Sequence, residues 1–197
     1  DLLLSPLRLK EATLSCAIEG TTVTLGEMLS HEGGSMNLVN LDSDPEKKRD
    51  IQEVRNYREA LRVSIDLMSD NQERPLPICG TVLKGAHEVL LAGARGTDKG
   101  RGKYRRMQNL IGVEGCSEAD ARFVPIAPDE LENGMARWEE YVNDDQQPDP
   151  LVQLAIIHAE FESLHPFLDG NGRLGRMLIP LFLYAREILP APTFYLS

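Results

Sequence analysis

The chain has 197 residues, of which 42% are hydrophobic and 26% are charged, proportions that suit one globular domain or one domain with an appended segment. Its formal net charge of −10 argues against general binding to nucleic acid or to an anionic membrane surface. Since no run approaches about 18 consecutive apolar residues, the sequence predicts no transmembrane helix.

The chain ends and the cysteines give weaker indications. The chain begins at Asp1 without a methionine and stops at Ser197 in an apolar context, so we expect the natural protein to extend beyond both ends. Cys16, Cys79 and Cys116 are odd in number and far apart, which predicts neither a disulfide framework nor a zinc site. Free thiols are typical of a reducing compartment, and we therefore expect a cytoplasmic location.

Helices dominate the predicted elements, and most open with a polar cap residue followed by proline. In chain order the predicted helices cover about 6–18, 45–71 and 77–94, and three more begin at about 128, 150 and 172. The first of these three contains Trp138 and Tyr141, the second ends near His165, and the third runs through Phe182. The stretch 30–43 is predicted to be a loop, and strand signals are confined to 103–124, where one hairpin is expected. The predicted fold class is therefore all-α with one small β-hairpin.

The informative stretch is HPFLDGNGRLGR, residues 165–176. A helix is expected to end near His165, because Pro166 disfavours helical conformation in the residue before it. The following turn, Asp169 to Gly172, contains glycines that permit positive φ and leave backbone N–H groups uncovered. A new helix begins near Gly172. Uncovered amides at a helix N-terminus form an anion site.

Charged side chains surround this predicted anion site. Arg173 and Arg176 are three residues apart on the new helix, so both guanidinium groups lie near the anion, an arrangement that suits a polyphosphate. Asp169 is placed to hold Mg²⁺ on those phosphates. His165 is the one group here whose ordinary pKa lies near neutrality, which makes it a natural general base. Together these residues predict a nucleotide-transfer site.

The stretch 165–176 resembles the signature of the Fic-domain family, His-x-Phe-x-(Asp/Glu)-Gly-Asn-(Gly/Lys)-Arg-x-x-Arg, and matches it at every fixed position. The helix before it and the segment 102–112 are also similar to the family, so that the resemblance covers roughly 77–190. It implies a Fic-type helical bundle with a β-hairpin flap at about 102–113. We divide the chain into an N-terminal helical segment, 1–74, and a Fic core, 75–197.

The resemblance implies transfer of AMP from ATP, with Mg²⁺, to a hydroxyl side chain of a target protein or of the chain itself. His165 would deprotonate the hydroxyl and Asp169 would hold Mg²⁺. The phosphates would be bound by Gly170, Asn171, Gly172, Arg173 and Arg176. The family's phosphorylating Doc-type branch has lysine in place of Gly172, so this glycine favours AMP transfer.

Other functions of the same site stay open. They are removal of AMP from a modified protein and transfer of another phosphate-containing group. A non-enzymatic binding module is disfavoured, because the charged motif residues are intact.

The resemblance also indicates how partners would bind. A target protein would dock on the flap by adding its main chain as an extra strand. The flap residues expected there are Gln108, Asn109, Leu110 and Ile111. Tyr184 could line the adenine pocket, with an ordinary packing role as the alternative. A homodimer is left open by the family, and no nucleic acid or membrane partner is expected.

A second motif lies near the N-terminus, within a predicted helix at about 6–20. Ser15 and Glu19 are four residues apart on one helical face, and Gly20 ends the helix. A carboxylate is unfavourable at the negative end of a helix dipole, so a cationic partner is expected. The hexapeptide resembles the family's inhibitory motif, (Ser/Thr)-x-x-x-Glu-(Gly/Asn). In that family the glutamate pairs with the second motif arginine, here Arg176, and disfavours productive ATP binding.

RNA binding and a metal-hydrolase site are two alternatives to a nucleotide-transfer site, and each explains fewer of the residues. The basic run from Lys99 to Arg106 is a solvated loop or a docking flap, since RNA binding conflicts with the net charge. His158, Glu162 and His165 share a helical face and could ligate a divalent metal together with Asp169. That set matches no strong zinc spacing and gives the arginines and glycines no role.

Overall fold

The computed structural model describes residues 4–33, 44–69, 75–113 and 115–192. Its helices are α1 (Leu4–Ile18), α2 (Leu25–Glu32), α3 (Pro45–Met68), α4 (Gly80–Leu90), α5 (Leu131–Val142), α6 (Pro150–Leu164) and α7 (Asn171–Ala185). In the described ranges, β pairing is limited to an isolated antiparallel bridge between Ile111 and Phe123. The all-α fold class is thus confirmed, and the hairpin is reduced to one bridge. None of the helices described is long and apolar enough to cross a bilayer.

Aspartate caps followed by proline start α3 and α6, as predicted. The Asp44 carboxylate accepts a hydrogen bond from the backbone N–H of Glu46 at 2.9 Å. Asp149 accepts from the N–H groups of Leu151 at 2.8 Å and Val152 at 3.2 Å. Each cap satisfies N–H groups that have no partner inside the helix and contributes about 1 kcal/mol.

Several helix boundaries differ from the predicted ones. Helices α4 and α5 begin at Gly80 and Leu131 rather than at the prolines three residues earlier. The α4 start is fixed from outside the helix, since the backbone N–H of Gly80 donates to Glu139 Oε1 at 2.8 Å. Helix α4 also ends earlier than predicted, and Gly93 then turns the chain with φ +63°. Both differences depend on tertiary contacts or backbone geometry that proline positions do not indicate.

Helix α2 was not predicted, and the loop prediction is wrong for residues 30–32. A capping box starts this helix: Thr24 Oγ1 accepts from the N–H of Glu27 at 3.2 Å, and Glu27 Oε2 accepts from the N–H of Thr24 at 2.7 Å. The sequence pattern Thr-x-x-Glu was the available signal. The rest of the predicted loop, 34–43, and the apolar chain end, 193–197, lie outside the described residues.

Helix α3 forms the centre of the N-terminal half and packs against α1, α4 and α7, while α6 packs between α5 and α7. The largest fully buried side chains include Tyr57, Phe161, Phe167 and Phe182. Each such side chain contributes roughly 1.5–3 kcal/mol by leaving water. Because α1 and α3 both reach α7, the N-terminal segment lies directly on the helix that follows the predicted anion site. The domain boundary at 74/75 stays a prediction.

Candidate active site

His165 ends α6 in a left-handed conformation, with φ 48° and ψ 60°. This backbone conformation costs a non-glycine residue roughly 1 kcal/mol or more. Arg105, only 3% exposed, holds it there. The guanidinium donates from Nε to the His165 carbonyl at 2.9 Å and from Nη2 to the Leu164 carbonyl at 3.3 Å. Arg105 therefore caps α6 and is no part of a solvated basic loop.

The His165 ring is oriented by the helix that precedes it. Its Nδ1 lies 3.3 Å from the carbonyl oxygen of Glu162. A carbonyl can only accept, so Nδ1 carries the hydrogen and the Nε2 lone pair stays available. Burial lowers the pKa of His165 below its ordinary 6.5. The ring is therefore neutral at pH 7 and can accept a proton at Nε2.

Buried hydrogen bonds close the motif loop around Phe167. Its N–H donates to Asn171 Oδ1 at 2.9 Å, and its carbonyl accepts from Asn171 Nδ2 at 2.8 Å. Asn109 Nδ2 donates to the same carbonyl at 2.8 Å. The Asn171 side chain thus shapes the loop, which leaves its backbone N–H for a ligand. Asn109 thus secures the motif, and its predicted role in docking a target stays a prediction.

His87 on α4 is a site residue that sequence reasoning missed. Its Nδ1 accepts from the N–H of Gly102 at 2.9 Å, so its Nε2–H donates to the Asp169 carbonyl at 3.0 Å. The ring stacks on Phe167 with centroids 3.9 Å apart. Burial lowers the pKa of His87 to about 4, so the ring stays neutral. A single histidine inside an apolar helix gave no signal of this link between flap and motif.

No side chain caps the N-terminus of α7, where Gly170 is the N-cap with φ 76°. A Cβ added to Gly172 would lie 2.7 Å from Glu19 Oε1 and 3.1 Å from Arg176 Nη1. The Glu19 carboxylate therefore lies directly over Gly172, at the positive end of the α7 dipole. The carboxylate of Glu19, directly after α1, therefore lies across the predicted anion site.

The Arg176 guanidinium joins α1 to α7. Its Nε donates to Ser15 Oγ at 2.8 Å, and its Nη2 donates to the Ser15 carbonyl at 3.0 Å and to Glu19 Oε1 at 2.6 Å. Gly20 ends the segment with φ 95°. The structure thus brings together all three residues of the predicted inhibitory motif and the second motif arginine.

Arg173 has a different environment. Its side chain is 4% exposed, with Nη1 3.5 Å from Glu53 Oε2 and Nη2 3.6 Å from Asp169 Oδ1. Neither its Nε nor its Nη1 has a hydrogen-bond acceptor among the described residues. Leaving a buried donor without an acceptor costs roughly 1–3 kcal/mol. These two donors fit an anionic ligand.

Asp169 lies beside those donors. Its Oδ1 accepts from the N–H of Gly170 at 2.6 Å, and its carboxylate rests against Gly96, where a Cβ would lie 2.3 Å from Oδ2. The side chain is 39% exposed. One half-exposed carboxylate beside the predicted anion site fits Mg²⁺, which commonly binds through one carboxylate and substrate phosphates.

The alternative metal-hydrolase set is not assembled. Within the described ranges, no three His, Cys, Asp or Glu side chains form a group able to hold a metal ion. His158 Nδ1 instead lies 3.0 Å from the carbonyl oxygen of Gly175. That interpretation is therefore wrong for the described residues.

The remaining predicted site residues lie on the flap or farther along α7. Gln108 Nε2 donates to the Pro125 carbonyl at 2.8 Å. Leu110 is exposed, and Ile111 forms the bridge to Phe123. Tyr184 is half-buried, about 12 Å of helix beyond Arg176. Its place in an adenine pocket stays a prediction.

Comparisons with known proteins agree with these observations. Residues 77–183 match the Fic/DOC family, and residues 1–66 match its N-terminal segment. The protein adenylyltransferase fic-1 of Caenorhabditis briggsae is 29% identical over 184 residues, 90% of this chain and 32% of that protein. The protein adenylyltransferase Fic of Drosophila grimshawi is 33% identical over 95 residues, 45% of this chain and 18% of that protein.

The fold also has a solved counterpart. The crystal structure of a Fic family protein from Desulfovibrio desulfuricans G20 has a TM-score of 0.72 to this chain, with 29% identity. The similarity covers 95% of this chain and 51% of the other. This chain spans about a third or less of the length of the two curated relatives named above.

Proposed function

The chain belongs to the Fic/DOC family, and from this premise we propose that it transfers AMP from ATP to a protein hydroxyl group and is inhibited by its own helix α1. The single observation that carries the proposal is the Glu19 carboxylate, which lies over Gly172 and pairs with Arg176 at 2.6 Å. In this proposal the carboxylate takes the place that a phosphate group of ATP would occupy. The names of the relatives, protein adenylyltransferases, support the same reaction.

In the proposed reaction, His165 accepts the hydroxyl proton at Nε2. The hydroxyl oxygen forms a bond to the α-phosphorus of ATP, and pyrophosphate leaves with the electrons of the broken P–O bond. The buried donors of Arg173 and the N–H groups at the α7 start would stabilise the negative charge on the phosphates. Asp169 would hold Mg²⁺, which neutralises phosphate charge when bound.

Inhibition follows from competition for one place. With Glu19 and Ser15 bound, the Nε and Nη2 donors of Arg176 already have acceptors. A phosphate that approached Gly172 would also meet the like charge of the carboxylate. Removing Glu19 would uncover the start of α7 at Gly172 and leave the Arg176 guanidinium able to bind the nucleotide.

The flap is the proposed docking site for the target. Four apolar side chains are exposed on the flap and at Phe123, which bridges to it, although such groups usually pack inside a protein. They are Met107 (64%), Leu110 (37%), Val113 (83%) and Phe123 (43%). A target segment that covered them would present its hydroxyl group near the motif loop, to which Asn109 ties the flap.

Labelling with radioactive ATP tests the reaction. Purified Glu19→Gly protein is incubated with Mg²⁺ and either α-³²P-ATP or γ-³²P-ATP. We expect label from the α position only, about tenfold or more above the parent, because an ion pair worth roughly 1 kcal/mol and a steric block are both removed. Adding His165→Ala to this variant should abolish the label.

A matched control separates this effect from general loosening. Glu32, at the end of α2, also pairs with an arginine of α3, Arg58. Glu32→Gly should leave labelling at the parental level. Label from the γ position would indicate phosphoryl transfer instead. No label from either position, with ATP binding intact, would favour removal of AMP or another donor.

A further inference from the structure

Two acidic side chains of α3 lie deep in the protein and have no part in the proposed chemistry. Asp50 and Glu53 are one helical turn apart, and each side chain is 1–2% exposed. Carboxylates are almost never buried so fully unless paired. Their partners decide what these two residues do.

Glu53 faces the first motif arginine. It accepts from Arg95 through both oxygens, from Nε at 2.6 Å and from Nη2 at 3.1 Å. Its Oε2 also lies 3.5 Å from Arg173 Nη1, close enough for charge attraction but without a hydrogen bond. The carboxylate therefore holds the Arg173 guanidinium in place by charge attraction at Nη1, while Nε has no acceptor among the described residues.

Arg95 extends this support to Asp169, the carboxylate of the motif. The next residue, Gly96, has φ 79°, and the Asp169 carboxylate rests on it so closely that a Cβ would lie 2.3 Å from Oδ2. Because Glu53 fixes Arg95, it also fixes the backbone that supports Asp169. One carboxylate of the N-terminal segment thus supports two motif side chains.

Asp50 supports the inhibitory segment, which includes Ser15, Glu19 and Gly20. Its Oδ2 accepts from the N–H and the hydroxyl group of Thr22, at 2.5 and 3.0 Å, two residues after Gly20. Its Oδ1 accepts from Arg95 Nη2 at 3.2 Å. Asp50 therefore fastens the end of the inhibitory segment to α3 without touching Glu19 or Arg176 in any hydrogen bond or ion pair described.

We propose that Glu53 is a positioning residue for the nucleotide site, acting through Arg173 and Arg95, and that Asp50 is a positioning residue for the inhibitory helix. The proposal rests on the proposed function. The two carboxylates, one helical turn apart, would have opposite effects on AMP transfer. Glu53 would favour nucleotide binding, and Asp50 would favour inhibition. If both residues were merely structural, both substitutions would change activity in the same direction.

The test of Glu53 uses Glu19→Gly protein as parent, with Glu53→Gln added. Calorimetric titration with ATP and Mg²⁺ should show a Kd about tenfold higher, since hydrogen bonds and pairs with charged groups are worth roughly this factor or more. With α-³²P-ATP, KM should rise more than kcat falls. A structural defect would instead lower kcat and the melting temperature, with KM unchanged.

Two further variants keep the test decisive. Glu59→Gln makes the same change on the exposed side of α3, where Glu59 pairs with Arg62, and should leave Kd unchanged. If Glu53→Gln does not fold, Arg95→Gln removes the bridging guanidinium, which is 42% exposed, and should weaken ATP binding by about threefold. Unchanged Kd in a folded Glu53→Gln or Arg95→Gln protein would overturn the role of Glu53.

Asp50→Asn is tested in the chain that keeps Glu19. Labelling from α-³²P-ATP should rise about threefold, because one buried charged acceptor for Thr22 and Arg95 is lost. Unchanged or lower labelling would overturn the role of Asp50. If the Glu19→Gly parent binds ATP but takes up no label, the proposed reaction fails, while the titration still decides the role of Glu53. If that parent binds no ATP, both proposals fail.

Discussion

The two motif arginines lie one helical turn apart on α7, yet their environments differ. Arg173 is buried, at 4% exposure, and is flanked by the fully buried Glu53. Arg176 is 18% exposed and pairs with Glu19, which is itself 38% exposed. Two donors of Arg173 have no acceptor in the described parts of the chain, whereas Nε and Nη2 of Arg176 have three between them.

This difference separates a fixed side of the site from a removable one. The fixed side consists of Arg173, Glu53 and His87, whose side chains are buried and positioned by α3 and α4. The removable side consists of Arg176 with Glu19 and Ser15, where part of the contact is open to solvent. Changes on the fixed side should therefore cost binding or stability, and changes on the removable side should release activity.

The largest effect is expected at Arg173. In a Glu19→Gly background, Arg173→Met should reduce α-label incorporation by about 100-fold, because charge-assisted hydrogen bonds to phosphate are lost in a buried site. Arg176→Met should cost less in the chain that keeps Glu19, since it also removes the inhibitory contact. Initial labelling rates check both. Equal losses for the two variants would break the distinction between the two sides.

The next effect is a pH dependence of stability on the fixed side. The pKa of His87 is lowered to about 4 by burial, whereas an unfolded chain keeps a value near 6.5. The unfolded state therefore binds more protons between these values, so stability is present at neutral pH and is lost as pH falls from 6.5 toward 4. This histidine should account for about 2 kcal/mol of unfolding free energy between pH 8 and pH 5.

Urea unfolding of the parent and of His87→Gln protein at both pH values measures this contribution. We expect the parent to lose about 2 kcal/mol more than the variant does. An identical loss in both proteins would show that protonation of His87 is not involved.

On the removable side we expect a smaller effect, a gain in labelling rather than a loss. Ser15→Ala deletes the hydroxyl that accepts from Arg176 Nε at 2.8 Å and leaves an alanine that favours helix. Labelling by the chain with Glu19 intact should rise about fivefold, as a hydrogen bond to a charged group is lost. Ser163→Ala, an exposed serine that bonds its own helix, is the control. A fall in labelling would contradict the inhibitory role of Ser15.

The smallest effect concerns the pH profile of transfer. Burial lowers the pKa of His165 below its ordinary value, so the ring is protonated at a lower pH than an ordinary histidine. The kcat/KM of Glu19→Gly protein should therefore begin to decline at a lower pH than an ordinary histidine would impose. A decline that begins above pH 7 would contradict His165 as a neutral base.

Local sequence signals predicted a large part of the fold. Asp44 and Asp149, each followed by proline, start α3 and α6 where expected, because a cap and a preset φ act within a few residues. The same reasoning misplaced the start of α4, where the cap comes from Glu139 on a distant helix. Helix α2 was missed although its capping box was visible.

The candidate site divides in the same way. The order of the motif residues along the chain, the end of α6 before Pro166 and the glycines at the start of α7 follow from residues close together in sequence. Roles for His87, Arg105 and Asn109 did not, because each bonds a backbone carbonyl far along the chain. Such bonds leave no pattern in a single sequence.

The sequence by itself determined the helical class, the motif from 165 to 176 and the chemistry that it can support, since these depend on residue types at short spacing. Tertiary structure decided how the charged groups meet, although the family resemblance had already predicted that Glu19 pairs with Arg176. Glu19 reaches Arg176 across 157 positions, and Glu53 lies beside Arg173 because α3 packs against α7. Electrostatic pairing depends on distance in space and on burial, and neither is fixed until the helices have packed.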